Sequence, residues 1–126
     1  MAETPADVAI LARRLADAFE SSRIPYAIGG ALAFAHWGIP RGTADVDMTV
    51  FVEESAWPGA LAVLEANGVS IDLPRALSDL RDRGSCRLRS GTIPVDLFVP
   101  SIEFYASVRS RVVERPLMGR GARFLT

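Results

Sequence analysis

Residues 24–52 read IPYAIGGALAFAHWGIPRGTADVDMTVFV, and the fold of the chain turns on how this stretch is parsed. Tyr26-Ala27-Ile28 has the composition of a short strand, Gly29-Gly30 marks a turn, and Ala31 to Trp37 is an apolar helical run. Gly38-Ile39-Pro40 breaks that helix, and Arg41-Gly42-Thr43 leads into a second strand, Asp45-Val46-Asp47-Met48-Thr49-Val50. Side chains alternate across a strand, so Asp45, Asp47 and Thr49 share one face while Val46, Met48 and Val50 take the other. The apolar set must face a core, which leaves the acidic pair at a surface or cleft. Two adjacent carboxylates repel, and that cost is normally tolerated where a cation sits between them.

The glycine pair adds a second element. Glycines at a strand-to-helix turn let a phosphate approach the backbone, and the helix that follows offers free N–H groups at its positive end. By itself Gly-Gly is weak evidence, because turns use it everywhere. Beside a carboxylate pair it suits a metal–nucleotide complex. A third acid lies downstream in Ile93-Pro94-Val95-Asp96-Leu97-Phe98-Val99, where Val95 and Leu97 take one face and Asp96 the other. An acid inside an apolar strand is costly unless it is paired, exposed or metal-bound. Neighbouring strands lie about 4.8 Å apart, so Asp96 would stand beside Asp45 and Asp47 if the two strands are adjacent. Three acids so placed can hold two divalent ions about 3.5–4 Å apart, the arrangement used for in-line phosphoryl transfer.

Each of these residues also has a plainer role open to it. A lone strand aspartate is usually solvated or ion-paired, and arginine is plentiful here. Arg41 could neutralise a triphosphate or pair with an acid, and Thr43 could bond a phosphate or cap the turn. His36 and Trp37 belong to a buried helix and read as structural. The order glycines, Arg41, Thr43, paired acids, third acid is what favours a site over coincidence.

Composition narrows the field. The chain has 126 residues, 49% of them hydrophobic, and a net charge of −1, so one folded domain over 1–126 is expected with no global pull toward nucleic acid. All 14 basic residues are arginine. A catalytic lysine, a Schiff base and a phosphate-loop lysine are thereby excluded, and any phosphate clamp must be built from arginine, backbone amides or metal. The single cysteine, Cys86, excludes an internal disulfide and a cysteine-based zinc cage and reads as a small buried hydrophobe. No apolar run reaches membrane-spanning length and no apolar signal segment opens the chain, which predicts a cytoplasmic protein with no membrane partner.

Outward from the central stretch, Thr4-Pro5-Ala6-Asp7 is a helix start, and Val8, Leu11, Leu15 and Phe19 form a stripe that predicts a helix over 5–21. Ser55 is expected to cap a helix running to about Asn67, closed by Gly68, with a short strand at 69–72 and a further helical turn over 77–83. Cys86 to Arg89 and Thr92 to Val99 predict a hairpin about Ser90-Gly91, with Arg87 and Arg89 facing away from Cys86 and Leu88. A last helix is expected over 102–108, followed by a tail from Arg109 to Thr126. Arg75, Arg81, Arg83, Arg87 and Arg89 are candidates for a polyanion-binding face, although Asp79 and Asp82 make a mixed-charge solvated surface the stronger expectation.

The sequence of Gly29-Gly30, Arg41-Gly42-Thr43, Asp45-Val46-Asp47 and the later Asp96 resembles the signature of the DNA polymerase β-type nucleotidyltransferase superfamily. Within it the chain is similar to the small prokaryotic branch that includes abortive-infection and toxin–antitoxin nucleotidyltransferases. The resemblance covers most of residues 24–104, and the run from Arg41 to Asp47 is its most specific part. It implies an α/β fold, a mixed sheet of four or five strands with helices packed on it. It also implies a metal-dependent nucleotidyltransferase: Asp45 and Asp47 ligate both Mg²⁺ (or Mn²⁺) ions, and Asp96 is the third acid, which helps deprotonate the attacking group. Gly29, Gly30, Arg41 and Thr43 would bind the nucleoside triphosphate donor, ATP or another. The acceptor hydroxyl would belong to a tRNA end, a partner protein or a small molecule such as an aminoglycoside, in a toxin–antitoxin or phage-defence setting. Family members usually continue into a helical region where this chain reaches Gly119, so that region would be lacking here or supplied by a partner chain in a homo- or hetero-oligomer. The alternative class is a non-catalytic nucleotide- or partner-binding module of the same fold. A hydrolytic metal enzyme on the same acids lacks a supporting histidine pair.

Overall fold

The computed structural model describes residues 5–29 and 45–125. Gly30, the expected helix at 31–37 with His36 and Trp37, Arg41, Thr43 and the Thr4 cap lie outside the described residues. In chain order the described elements are α1 (Pro5–Ser21), β1 (Tyr26–Gly29), β2 (Val46–Val50), a 3₁₀ turn (Glu54–Ala56) and α2 (Trp57–Ala66). Then come α3 (Leu73–Arg83), β3 (Ser85–Ser90), β4 (Ile93–Phe98), α4 (Ile102–Arg109), β5 (Val112–Leu117) and β6 (Arg120–Leu125).

The strands form one mixed sheet of six, ordered β3-β4-β2-β1-β6-β5. β2 lies at its centre, antiparallel to β1 and parallel to β4. β6 runs parallel to β1, and two antiparallel hairpins, β3–β4 and β5–β6, close the two sides. Alternation fixes which face each side chain takes. Val46, Met48, Val50, Val95, Leu97, Cys86, Leu88, Tyr26, Ile28, Ala122 and Phe124 are all buried on one side. They form a single hydrophobic cluster with Val8, Leu11, Leu15 and Phe19 of α1, Leu61 and Leu64 of α2 and Leu80 of α3. Each fully buried side chain of this size contributes about 1.5–3 kcal/mol, so this face holds the fold together. The opposite face carries Asp47, Thr49, Asp96, Arg87 and Gly29.

The expectations for α1, β1, β2, the β3–β4 hairpin and α4 agree with the structure within a residue or two. Ser55 does not cap a helix: it sits in the 3₁₀ turn, and α2 begins at Trp57 with Pro58 in its first turn and no side-chain cap. Residues 69–72 contribute only an isolated bridge, Ser70 to Arg89. The helical turn expected at 77–83 is a full helix, because Asp72 accepts a bond from the Arg75 amide and Pro74 fits its first turn. Gly84 then ends it in the left-handed region at φ 72°, with its amide bonded to Leu80. The tail from Arg109 is not irregular but forms β5 and β6, which raises the strand count from the expected four or five to six. Among the described residues no helix is long and apolar enough to cross a membrane.

Candidate metal and nucleotide site

Register assembles the site. β2 and β4 pair in parallel with Asp47 directly opposite Asp96. On its other side Asp47 pairs with Gly29 of β1, and Asp96 pairs with Arg87 of β3. One row across the open face therefore reads Arg87, Asp96, Asp47, Gly29, with Asp45 just before the start of β2. Carboxylate oxygens of Asp45, Asp47 and Asp96 lie within 4.8 Å of one another. The expected adjacency of the third acid is thus met.

Three carboxylates this close repel, and Asp47 bears most of the strain. Burial pushes its carboxyl up to about 6, and the charges of Asp45 and Asp96 add to the shift, while Arg87 opposes it. Its Oδ1 is buried and has no hydrogen-bond partner among the described residues. A buried carboxylate oxygen left bare normally costs about 1–3 kcal/mol, so the arrangement lacks a positive ligand at that atom. Hard oxygen donors on three acids fit a divalent ion such as Mg²⁺ or Mn²⁺. Gly29 fits the same purpose. Among the described residues, a Cβ there would meet Leu125 Cβ alone, at an ordinary 4.0 Å. What the missing side chain does is keep clear the floor beside Asp47, within a cleft of about 850 Å³ that both residues line.

That cleft opens between the sheet and α4. Its walls include Thr49, Phe98, Phe104 and Val108, with Arg81, Arg83 and Arg111 also lining it. α4 is fixed by Tyr105, whose hydroxyl donates to the Phe51 carbonyl at 3.1 Å and whose ring meets Phe51 edge-on. Of the arginine run, Arg75, Arg83, Arg87 and Arg89 border a separate groove at the outer edge of β3, shared with Asp72 and Asp79. Arg83 pairs there with Asp79 at 3.1 Å, and Arg81 pairs with Glu54 at 3.4 Å, so this surface is of mixed charge. Cys86 is buried on the core side of β3, as expected.

The sequence placed Arg87 in a mixed-charge arginine run, and what it did not reveal is the tie between the acids and Arg87. Its Nε and Nη2 donate to the two oxygens of Asp96 at 2.8 and 2.7 Å, a bidentate pair, and Nη2 also reaches Asp45 Oδ2 at 3.3 Å. A usable signal was present. A tight turn at Gly91 places Ser90 opposite Ile93, and counting back along the hairpin puts Arg87 opposite Asp96.

No protein-family model matches the chain, and no curated protein does. Solved structures do. The antibiotic-resistance factor ANT(2'')-Ia in solution superposes with a TM-score of 0.65 at 23% identity, over 94% of this chain and 64% of that one. A Thermotoga maritima protein classed as a nucleotidyltransferase gives 0.69 at 14% identity, over 99% and 81%. ANT(2'')-Ia in complex with adenylyl-2''-tobramycin gives 0.65 at 21%, over 94% and 68%. The chain therefore has the nucleotidyltransferase fold, and it spans about two thirds of the length of ANT(2'')-Ia.

Proposed function

We propose that the chain is a metal-dependent nucleotidyltransferase that moves a nucleoside monophosphate from a nucleoside triphosphate to an acceptor hydroxyl. One observation carries the reading: Asp45, Asp47 and Asp96 converge within 4.8 Å on the open face of a nucleotidyltransferase-like sheet, with a carboxylate oxygen of Asp47 buried and bare. Asp45, Asp47 and Asp96 would hold the divalent ions. When bound, these ions supply positive charge against the phosphates and the leaving pyrophosphate. In the transfer, the acceptor oxygen forms a bond to the α-phosphorus, the bond to pyrophosphate breaks, and the hydroxyl proton passes toward Asp96. Gly29 leaves room for phosphate beside Asp47. Gly30, Arg41 and Thr43 complete the nucleotide site by resemblance.

ATP as donor and a small-molecule acceptor draw support from the adenylyl-tobramycin complex of the neighbour. A tRNA end or a partner protein as acceptor, and a toxin–antitoxin or phage-defence role, rest on the resemblance at Gly29 to Asp96. The test is transfer from each α-labelled triphosphate, with Mn²⁺, to tRNA, to an aminoglycoside mixture and to the protein itself. Label in one acceptor, lost on chelation and in Asp96→Asn, is the expected result. A chain that binds the metal–nucleotide but labels nothing would be the non-catalytic module instead.

A further inference from the structure

Arg87 occupies the place in the carboxylate row where a cation is wanted. Its guanidinium takes both oxygens of Asp96 and one of Asp45, so two of the three acids that would ligate metal are already engaged. No hydrogen bond or ion pair from Arg87 to Asp47 is among those of the described residues, and Asp47 Oδ1 is buried. The pair is planar and bidentate, the strong form of the contact, yet the Arg87 side chain is 61% exposed against 15% for Asp96. The side chain sits on β3, an edge strand of the sheet among the described residues. An exposed ion pair is cheap to break, so this one can yield to a divalent ion.

We propose that Arg87 is an exchangeable counter-cation of this site: it neutralises the acids while no metal is bound and passes to the donor's phosphates when the metal–nucleotide arrives. The inference rests on the proposed nucleotidyltransferase reading and adds a ligand-binding role for Arg87. Electrostatics sets both halves. Arg87 holds both oxygens of Asp96 and one of Asp45, so a metal and the guanidinium compete for the same atoms, and without the guanidinium the three carboxylates attract a divalent ion more strongly. A metal–triphosphate brings its own negative oxygens to that place. The guanidinium then meets a second anionic acceptor, and its fork geometry matches phosphate oxygens as well as carboxylate.

The effect of removing Arg87 is therefore expected to reverse sign between two ligands. Calorimetry of the wild type, Arg87→Ala and Arg87→Gln would measure Mn²⁺ alone, then inorganic tripolyphosphate in saturating Mn²⁺. Loss of the guanidinium should tighten Mn²⁺ alone by about fivefold or more and weaken tripolyphosphate by at least as much. Arg87→Lys should restore part of the phosphate binding, since it keeps the charge without the fork. A residue that merely orients Asp96 would weaken both ligands when removed, and a residue without a role would change neither. Either result overturns the proposal. If neither the wild type nor the variants bind Mn²⁺, the metal reading itself fails. If the wild type binds Mn²⁺ normally and the two effects do not diverge, only the role of Arg87 fails.

Discussion

Arg13 and Arg87 both grip aspartates, one inside the fold and the other on its open face. Arg13 extends from α1 with its side chain only 8% exposed, and its Nη1 donates to the carbonyls of Leu117, Arg120 and Gly121 at 3.0–3.2 Å. Its Nη2 meets Asp17 at 2.8 Å, and Asp17 in turn receives Arg120 at 2.6 Å. These contacts tie the first helix to the β5–β6 turn more than a hundred residues away, at Met118 and Gly119, both with positive φ. Among the described residues Arg87 bonds only carboxylates, and its side chain is mostly exposed. The same side chain is a fixed fastener where backbone carbonyls hold it and an exchangeable charge where only acids do.

The largest effect on stability should come from Arg13→Ala. It removes the side-chain donor of three carbonyls and one of the two arginine partners of Asp17, and should cost about 2–4 kcal/mol in urea unfolding. Arg13→Lys, a point charge unable to span the three carbonyls, should recover only part of that. A loss below about 1 kcal/mol for Arg13→Ala would erase the contrast with Arg87.

Next comes the strand that carries Arg87, read from its core side. Burial pushes the Cys86 thiol up to about 11, from an ordinary 9. The unfolded chain therefore loses this proton first, and stability is expected to fall as pH rises from 9 to 11, by up to about 3 kcal/mol. Unfolding curves across that range should flatten in Cys86→Ala. An unchanged slope would mean that this face of β3 is open to water like the other.

A smaller change of opposite sign is expected at Asp47→Asn. Removing one charge from three crowded carboxylates should stabilise the metal-free protein by about 1 kcal/mol while abolishing Mn²⁺ binding. Destabilisation by this substitution would show that the acids are not under strain. The smallest stability effect belongs to Arg87→Ala, which should leave the melting midpoint of the metal-free protein nearly unmoved and show itself in ligand binding instead.

Much of this was legible in the residues. Alternation in Asp45-Val46-Asp47-Met48 assigns the acids to one face, because a valine–methionine–valine set must be buried on the other. The adjacency of Asp96 needed only the assumption that its strand neighbours β2, which the register Asp47 to Asp96 bears out. The β5–β6 hairpin was not legible. Val112 to Leu117 carries Glu114, Arg115 and Pro116, which suit an edge strand but match no simple alternation, and its anchor is a side chain from residue 13. α3 was underread for a different reason: Asp72-Leu73-Pro74 is a start signal, but its proline looks like a breaker unless it is placed in the first turn.

The central claim is that Asp45, Asp47 and Asp96 form a divalent-metal and nucleotide site. It is tested most directly by thermal unfolding of the wild type and Asp47→Asn with Mn²⁺ and each of the four ribonucleoside triphosphates. A ligand present at 100 times its dissociation constant stabilises by about 2.7 kcal/mol, several degrees in a domain of this size. A rise of that order is expected in the wild type, dependent on Mn²⁺ and on a triphosphate, and none in Asp47→Asn. A midpoint unmoved by every metal–nucleotide pair, or moved equally in both proteins, would contradict it.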